Sequence, residues 1–153
     1  MARFRFRLEP VLRQRLLAER DERLRVAKVE RERFEIEGQL RSQQLKIEAE
    51  ERALAELTTG GRAEAETIRW QGVALSAARS EAGRTAERLV GVLRRLDRAR
   101  GVLATKAAER RAIELLKERQ RAAFKRREDA AEVRMLDDLA AAASVRRAQG
   151  INE

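Results

Sequence analysis

The stretch Leu57-Thr58-Thr59-Gly60-Gly61 decides the fold, because it is the clearest break between two long helical patterns. Paired glycines favour a turn, and threonine favours the positions beside a helix end. We therefore predict that a first helix ends near Leu57 and that residues 58–61 form a turn.

A heptad pattern upstream of this turn predicts a helix over about 9–57. Pro10 is compatible with this start, because proline is tolerated in a first helical turn. Spacings of four and three give the seam positions Leu8, Leu12, Arg15, Glu19, Glu22, Val26, Val29, Arg33, Ile36, Leu40, Gln43, Ile47, Glu50, Leu54 and Leu57, nine of them apolar. Between Leu12 and Val26 these positions are polar, while Leu16, Leu17 and Leu24 lie on neighbouring faces. This gap indicates either a shift of phase or a second contact surface.

Downstream of the turn, the pattern predicts a short helix over about 63–70, an interruption near Gly72 and a long helix over about 73–147. The long helix has its own seam, with polar insertions at Lys106 and Arg110; its apolar positions are Ala82, Leu89, Val92, Leu96, Ala99, Leu103 and Ile113. Gly83, Gly91 and Gly101 each cost a helix about 1 kcal/mol relative to alanine. We interpret them as marks of bends or of close helix approach.

Two long helices joined by one tight break bury their seams most simply as an antiparallel hairpin. The prediction is an all-α protein, a long two-helix coiled-coil hairpin forming one domain over residues 1–153. Its second part is longer than the first helix, so either it overhangs or the Trp70–Gly72 region folds as a short separate helix near the tip. The N-terminal and C-terminal segments then meet at the end opposite the turn. The same seam could instead pair two chains, so a dimer stays an alternative.

The composition suits solvated helices, because 43% of the chain is hydrophobic, 3% is aromatic and 40% is charged. The formal net charge of +9 raises nucleic acid as a partner. Acidic residues interrupt the basic stretches, however, and no base-reading motif appears, so we expect no specific nucleic-acid binding. Most of the charge is interpreted as a solvated surface.

Absent residue types narrow the function. The chain contains no cysteine and no histidine, which removes thiolate zinc sites and the usual acid–base catalyst. Asp137 and Asp138 are neighbours in sequence and would point about 100° apart on a helix, which suits a solvated helix end better than a metal site. No P-loop occurs. We therefore predict no enzymatic activity, no cofactor and no metal.

The sequence also lacks an apolar stretch suited to a cleavable signal peptide or a membrane span. Its longest purely apolar run, Leu139 to Ala143, is far shorter than the roughly 20 residues that cross a bilayer. We expect a chain that is not secreted by a cleavable signal.

Aromatic residues are so few that each exposed one is a candidate anchor for a partner. We interpret Phe34 as a packing residue beside the seam. Phe4 and Phe6 either pack within the chain, as a hydrophobic staple at the start of the first helix or against the C-terminal helix, or contact a partner. For Phe124 both packing within the chain and contact with a partner stay open. Trp70 is either a partner anchor or a local plug.

Two stretches carry a resemblance to a known family. The opening Phe4-Arg-Phe-Arg-Leu-Glu-Pro-Val-Leu-Arg-Gln-Arg15 and the ending from Glu118 to Leu139, which closes on Leu136-Asp-Asp-Leu139, resemble the two ends of FliJ proteins. These are small coiled-coil components of the flagellar type III export apparatus. The resemblance spans essentially the whole chain.

This resemblance implies a stalk that associates with the hexameric export ATPase, contacts the export gate protein in the membrane and escorts export chaperones. The chain would be cytoplasmic, held at the cytoplasmic face of the cell membrane through its partners, and needed for motility and chemotaxis. The residues implied to face the ATPase are Leu8, Val11, Leu12, Arg15, Phe124, Arg127, Met135 and Leu136. The residues implied to face the gate are Trp70, Val73, Ser76, Ala77 and Ser80.

Three alternatives stay open beside this function. The first is the equivalent stalk of a virulence-type secretion system. The others are a basic coiled coil that binds nucleic acid and a self-assembling filament protein, whose seam would need to be more regular.

Overall fold

A computed structural model of the chain describes residues 3–61 and 64–150, and the side chains of residues 3–61 and 64–147. Helix α1 spans Glu9–Thr59 and helix α2 spans Ala65–Gly150, and these described parts contain no strand. The two helices pack against each other, which confirms the all-α helical hairpin.

Helix α1 begins and ends where its sequence provides partners for free backbone groups. At its start, the Leu12 amide donates to the Leu8 carbonyl at 3.0 Å. At its end, the Thr58 hydroxyl lies 2.9 Å from the Ala55 carbonyl and the Gly60 amide donates to the Glu56 carbonyl at 2.9 Å. The next residue, Gly61, has φ 63°, a left-handed conformation that glycine adopts without steric cost.

Helix α2 differs from the sequence prediction, because it runs without a break from Ala65 to Gly150. The separate helix over 63–70 and the interruption near Gly72 are therefore wrong, and Ala63 lies outside the described residues. Glycine lowers helix stability by only about 1 kcal/mol relative to alanine. Burial of Leu75, three residues after Gly72, helps to offset that cost.

The interpretation of the helical glycines as sites of close approach is also wrong. A Cβ atom added at Gly83, Gly91 or Gly101 would meet nothing within 4 Å. All three positions are exposed, so no packing partner requires a glycine there.

The contacts divide the chain into two compact units, which are described separately. The end unit comprises Met1–Leu17 with Ala107–Glu153, and the turn unit comprises Ala18–Lys106. One domain over residues 1–153 stays a prediction.

In the turn unit, cross-helix ion pairs show the antiparallel direction. Arg100 lies 2.8 Å from Glu30, and Arg79 lies 2.6 Å from Glu51, so the partner's number falls as the position in α1 rises. Val92 and Leu96 from α2 are almost completely buried, as is Ile36 from α1.

The seam of α1 continues through its polar stretch with no shift of phase. Glu19, a seam position, is only 3% exposed, and Arg15 and Glu22 are half-buried. Leu16, Leu17 and Leu24 are exposed. The phase-shift alternative is therefore wrong, whereas a second contact surface stays open.

Candidate partner-binding surfaces

In the end unit, the segment before α1 packs onto α2. The rings of Phe4 and Phe124 are 5.7 Å apart and tilted by 50°. Phe6 is buried, with the Lys117 ammonium 5.8 Å from its ring centroid. The two N-terminal phenylalanines thus attach the first residues to the C-terminal helix, one of the two roles that the sequence allowed.

The same unit joins the two helices by ion pairs. The Lys117 ammonium lies 2.7 Å from the Glu9 carboxylate, and Arg15 pairs with Glu109. Residues more than ninety positions apart therefore share one surface.

The residues implied to face the ATPase fall into two groups. Leu12 is buried and Arg15 is engaged with Glu109, so these two stabilise the hairpin rather than present a free surface. Leu8, the residue directly before α1, is exposed. The half-buried residues are Val11 and Phe124, and the exposed ones are Arg127, Met135 and Leu136.

Helix α2 continues past Phe124 with every side chain from Lys125 to Ala142 exposed. Met135 and Leu136 are 59% and 57% exposed. Val133 and Leu139 are exposed to the same degree, although the sequence interpretation did not include them. Val133 belongs to a sequence pattern with Leu136, Ala140 and Ala143, spaced by three and four residues, whereas Leu139 lies outside that pattern.

Charged side chains surround the two N-terminal phenylalanines. A groove beside the Phe4 and Phe124 rings is lined by three cations and three acids: Arg3, Arg121, Lys125, Glu118, Glu128 and Asp129. Arg5, Arg7 and Arg13 line a second groove around Phe6 and Pro10. Among the residues that the structure describes, none of these six cations forms an ion pair. The groove around Phe6 has a positive lining, because its only acid, Glu9, pairs with Lys117, and such a groove attracts acidic groups.

One carboxylate in the end unit is electrostatically perturbed. The pKa of Glu114 is lowered, chiefly because Arg110 donates a hydrogen bond to it. The positive charge of Arg110 and the Arg111 guanidinium, 3.4 Å away, lower it further, while partial burial opposes the shift.

In the turn unit, the five residues implied to face the gate all lie on the outside of α2. Trp70 is 67% exposed, and its indole N–H points to the Glu66 carboxylate at 3.5 Å. Val73, Ser76, Ala77 and Ser80 are exposed as well. Trp70 is therefore not a buried plug.

Phe34 was expected to pack beside the seam, and this prediction is wrong. Its side chain is 61% exposed, and the Arg33 guanidinium lies over its ring at 4.5 Å. The seam passes through Arg33 and Ile36, so Phe34 points away from α2.

The part of the chain that the structure describes contains no group of three acidic, cysteine or histidine residues suited to hold a metal. Over the same residues, no helix is long and apolar enough to span a membrane.

A helical hairpin with exposed apolar side chains and an arginine-rich groove around Phe6 defines a coiled-coil protein of the partner-binding class. A family model described as the flagellar FliJ protein matches residues 4–149 of the 153. The chain belongs to the FliJ family, as its two ends predicted, and is a component of the flagellar protein export apparatus. Comparisons with curated proteins and with solved structures gave no match.

Proposed function

We propose that the chain is a non-enzymatic stalk of the flagellar export apparatus, which binds the hexameric export ATPase and couples it to the export gate. One observation carries the proposal: in the end unit, the N-terminal segment and the C-terminal part of α2 form a joint surface. Phe4 against Phe124 and Glu9 against Lys117 hold the two chain ends together. Exposed Met135 and Leu136 follow on the same helix.

The chemistry of this surface differs between its two parts. Exposed apolar side chains supply the anchors, because partner binding removes them from water. Arg5, Arg7 and Arg13 around Phe6 attract acidic groups of a partner, whereas the stretch around Met135 and Leu136 is itself acidic. The energy for export would come from nucleotide hydrolysis by the ATPase.

The outer face of α2 in the turn unit is the proposed contact with the export gate. Trp70 and Val73 provide the apolar anchors, and the small side chains of Ser76, Ala77 and Ser80 leave the helix backbone accessible. Fewer large side chains are present here than beyond Phe124. We therefore infer that the contact with the gate is weaker than the contact with the ATPase and dissociates more readily.

Through these partners the chain would lie at the cytoplasmic face of the cell membrane and escort export chaperones. The family match supports the flagellar stalk over the virulence-type stalk. No observation on the described residues favours nucleic acid as a specific partner.

The ATPase contact is tested by replacing Met135 and Leu136 with alanine. Both side chains are exposed, so the fold should survive, and ATPase affinity should fall by about tenfold or more, because each apolar anchor contributes roughly 1–3 kcal/mol when buried. Calorimetric titration with the purified ATPase measures the loss. The matched control, Val90→Ala with Val102→Ala, truncates two exposed side chains of the turn unit and should leave affinity unchanged.

Unchanged ATPase affinity in a Met135→Ala, Leu136→Ala protein that circular dichroism shows to be helical would reject this docking surface.

The gate contact is tested separately. Trp70→Ala should preserve ATPase binding and weaken capture of the cytoplasmic part of the gate protein.

A further inference from the structure

The outward face of α1 in the turn unit carries a second heptad stripe that no other element of that unit covers. We define the outer stripe by its spacing of three and four residues: Leu24, Ala27, Arg31, Phe34, Gly38, Arg41 and Leu45. Its three large apolar side chains are each about 60% exposed. Gly38 lies two residues from both Ile36 and Leu40 of the seam, so the stripe faces away from α2.

The charges along the outer stripe are mainly positive. Lys28, Arg31 and Arg41 form no ion pair within the described residues. The neighbouring acids Glu30 and Glu32 are instead engaged across the seam with Arg100 and Arg95. Of the exposed acids, only Glu35 lies within this part of the face. The stripe therefore combines apolar positions with an excess of cations.

The C-terminal part of α2 has the complementary character. We call residues 128–143 the tail segment; its apolar positions Val133, Leu136, Ala140 and Ala143 also follow a spacing of three and four residues. It carries five acidic residues against one arginine, Arg134; the acids are Glu128, Asp129, Glu132, Asp137 and Asp138. None of these acids forms an ion pair within the described residues.

We propose that the tail segment of one copy of this chain packs onto the outer stripe of a second copy. Both faces have the spacing that allows side chains of one helix to insert between those of another. Their charges are opposite, whereas two outer stripes, or two tail segments, would place like charges together. The chain itself therefore carries a helix face that matches the outer stripe in spacing and charge, so a second copy is the proposed partner.

The contact joins two different surfaces, so it is heterologous, and assembly continues unless the geometry closes it. Its few large apolar side chains predict weak, concentration-dependent association in the micromolar range. The net charge of +9 opposes self-association. The attraction must therefore be local, and it is best measured near 0.15 M salt, where a Debye length of about 8 Å screens the long-range repulsion.

Self-association would also hide Leu136, a residue of the proposed ATPase-binding surface. This consequence rests on the proposed function, and added ATPase should then dissociate the oligomer. The self-contact itself needs no ATPase, so the two proposals fail independently.

Sedimentation velocity of the full chain over a range of concentrations tests the contact. The wild type should associate reversibly as its concentration rises. Arg31→Glu with Arg41→Glu should weaken association by about tenfold or more, and Glu132→Arg with Asp137→Arg should do the same, because each places like charges together. An equimolar mixture of the two variants should associate again, since each supplies the complementary face.

The matched control is Arg94→Glu with Arg98→Glu, which makes the same charge change at exposed positions of α2; Arg94 lies two residues from both Val92 and Leu96 of the buried seam and so faces away from α1. Circular dichroism should show all variants to be helical. The proposal is overturned if the wild type stays monomeric at every concentration or if the control loses as much association as the stripe variants. It is equally overturned if mixing the two reversed variants restores nothing.

Discussion

Individual seam residues differ in what they contribute to the hairpin. Leu96 and Val92 are removed from solvent by the opposing helix, whereas Glu19 occupies an equivalent seam position with Arg23 2.6 Å away on the next turn. A buried carboxylate with a partner is tolerated, but it adds less stability than a leucine in the same position. The stability of the turn unit should therefore be concentrated in its few apolar layers.

Leu96→Ala should lower the free energy of unfolding by about 2–4 kcal/mol, because Leu96 is 1% exposed and its truncation leaves a cavity. Leu93→Ala, three residues away and 39% exposed, should cost much less. Urea unfolding followed by circular dichroism measures both. Equal losses would show that Leu96 is not the packed layer described here.

A second residue-level prediction concerns pH. Because the pKa of Glu114 is lowered in the folded chain, its ion pairs stabilise the fold above the ordinary pKa of 4.5, and this contribution fades as the pH falls through the lower folded value. Carbon-13 NMR titration of the Glu114 carboxyl should show the lowered pKa. Arg110→Gln should raise it more than Arg111→Gln does, because Arg110 is the main cause of the shift.

At the level of elements, periodic features such as the helix seam were predicted from the sequence, whereas features that depend on single residues were not. The spacing of three and four residues predicted the apolar part of the α1 seam, because burial follows helical periodicity. Between Leu12 and Val26 the sequence indicated a gap, and only the structure shows that Glu19 continues the seam there. It did not predict that α2 continues through Gly72, since the helix outweighs the small cost of one glycine. The exposure of Phe34 also depended on the exact face, which the residue type alone does not specify.

Two glycines should respond to alanine in opposite directions. Gly61→Ala should destabilise the hairpin by about 1 kcal/mol, because φ 63° is unfavourable for a residue with a Cβ atom. Gly83→Ala should stabilise it by about 0.5–1 kcal/mol, because the added Cβ meets nothing within 4 Å and alanine favours the helix. Thermal unfolding of both variants measures the signs; the same sign for both would contradict the turn geometry.

At the level of the whole molecule, the residues of the proposed surfaces were predicted unevenly. The sequence ends carried the family resemblance, which implied Met135 and Leu136 as contact residues, and this stays a prediction. Val133 and Leu139 were not included, because only the structure shows that every side chain from Lys125 to Ala142 is exposed. The exposed faces therefore define the candidate sites better than the motifs do.

Net charge makes a prediction about nucleic acid. The excess of +9 should retain DNA at low salt, and binding should fall steeply towards about 0.2 M salt, because each phosphate contact releases counterions. Fluorescence anisotropy with two duplexes of unrelated sequence measures this. Tight binding of only one of them at physiological salt would contradict an export role.

The pairing of Arg15 with Glu109 and of Glu9 with Lys117 also determines the alignment in which the hairpin can close. A repetitive leucine pattern tolerates slippage by one heptad, which would set Arg15 opposite Leu116 and Glu9 opposite Phe124. Such a slipped hairpin would leave both charges without counterions against apolar side chains. These ion pairs therefore select one register of the two helices. Replacing all four residues by leucine should give a stable protein with several coexisting registers, and NMR spectra should then show more than one resonance for each affected residue.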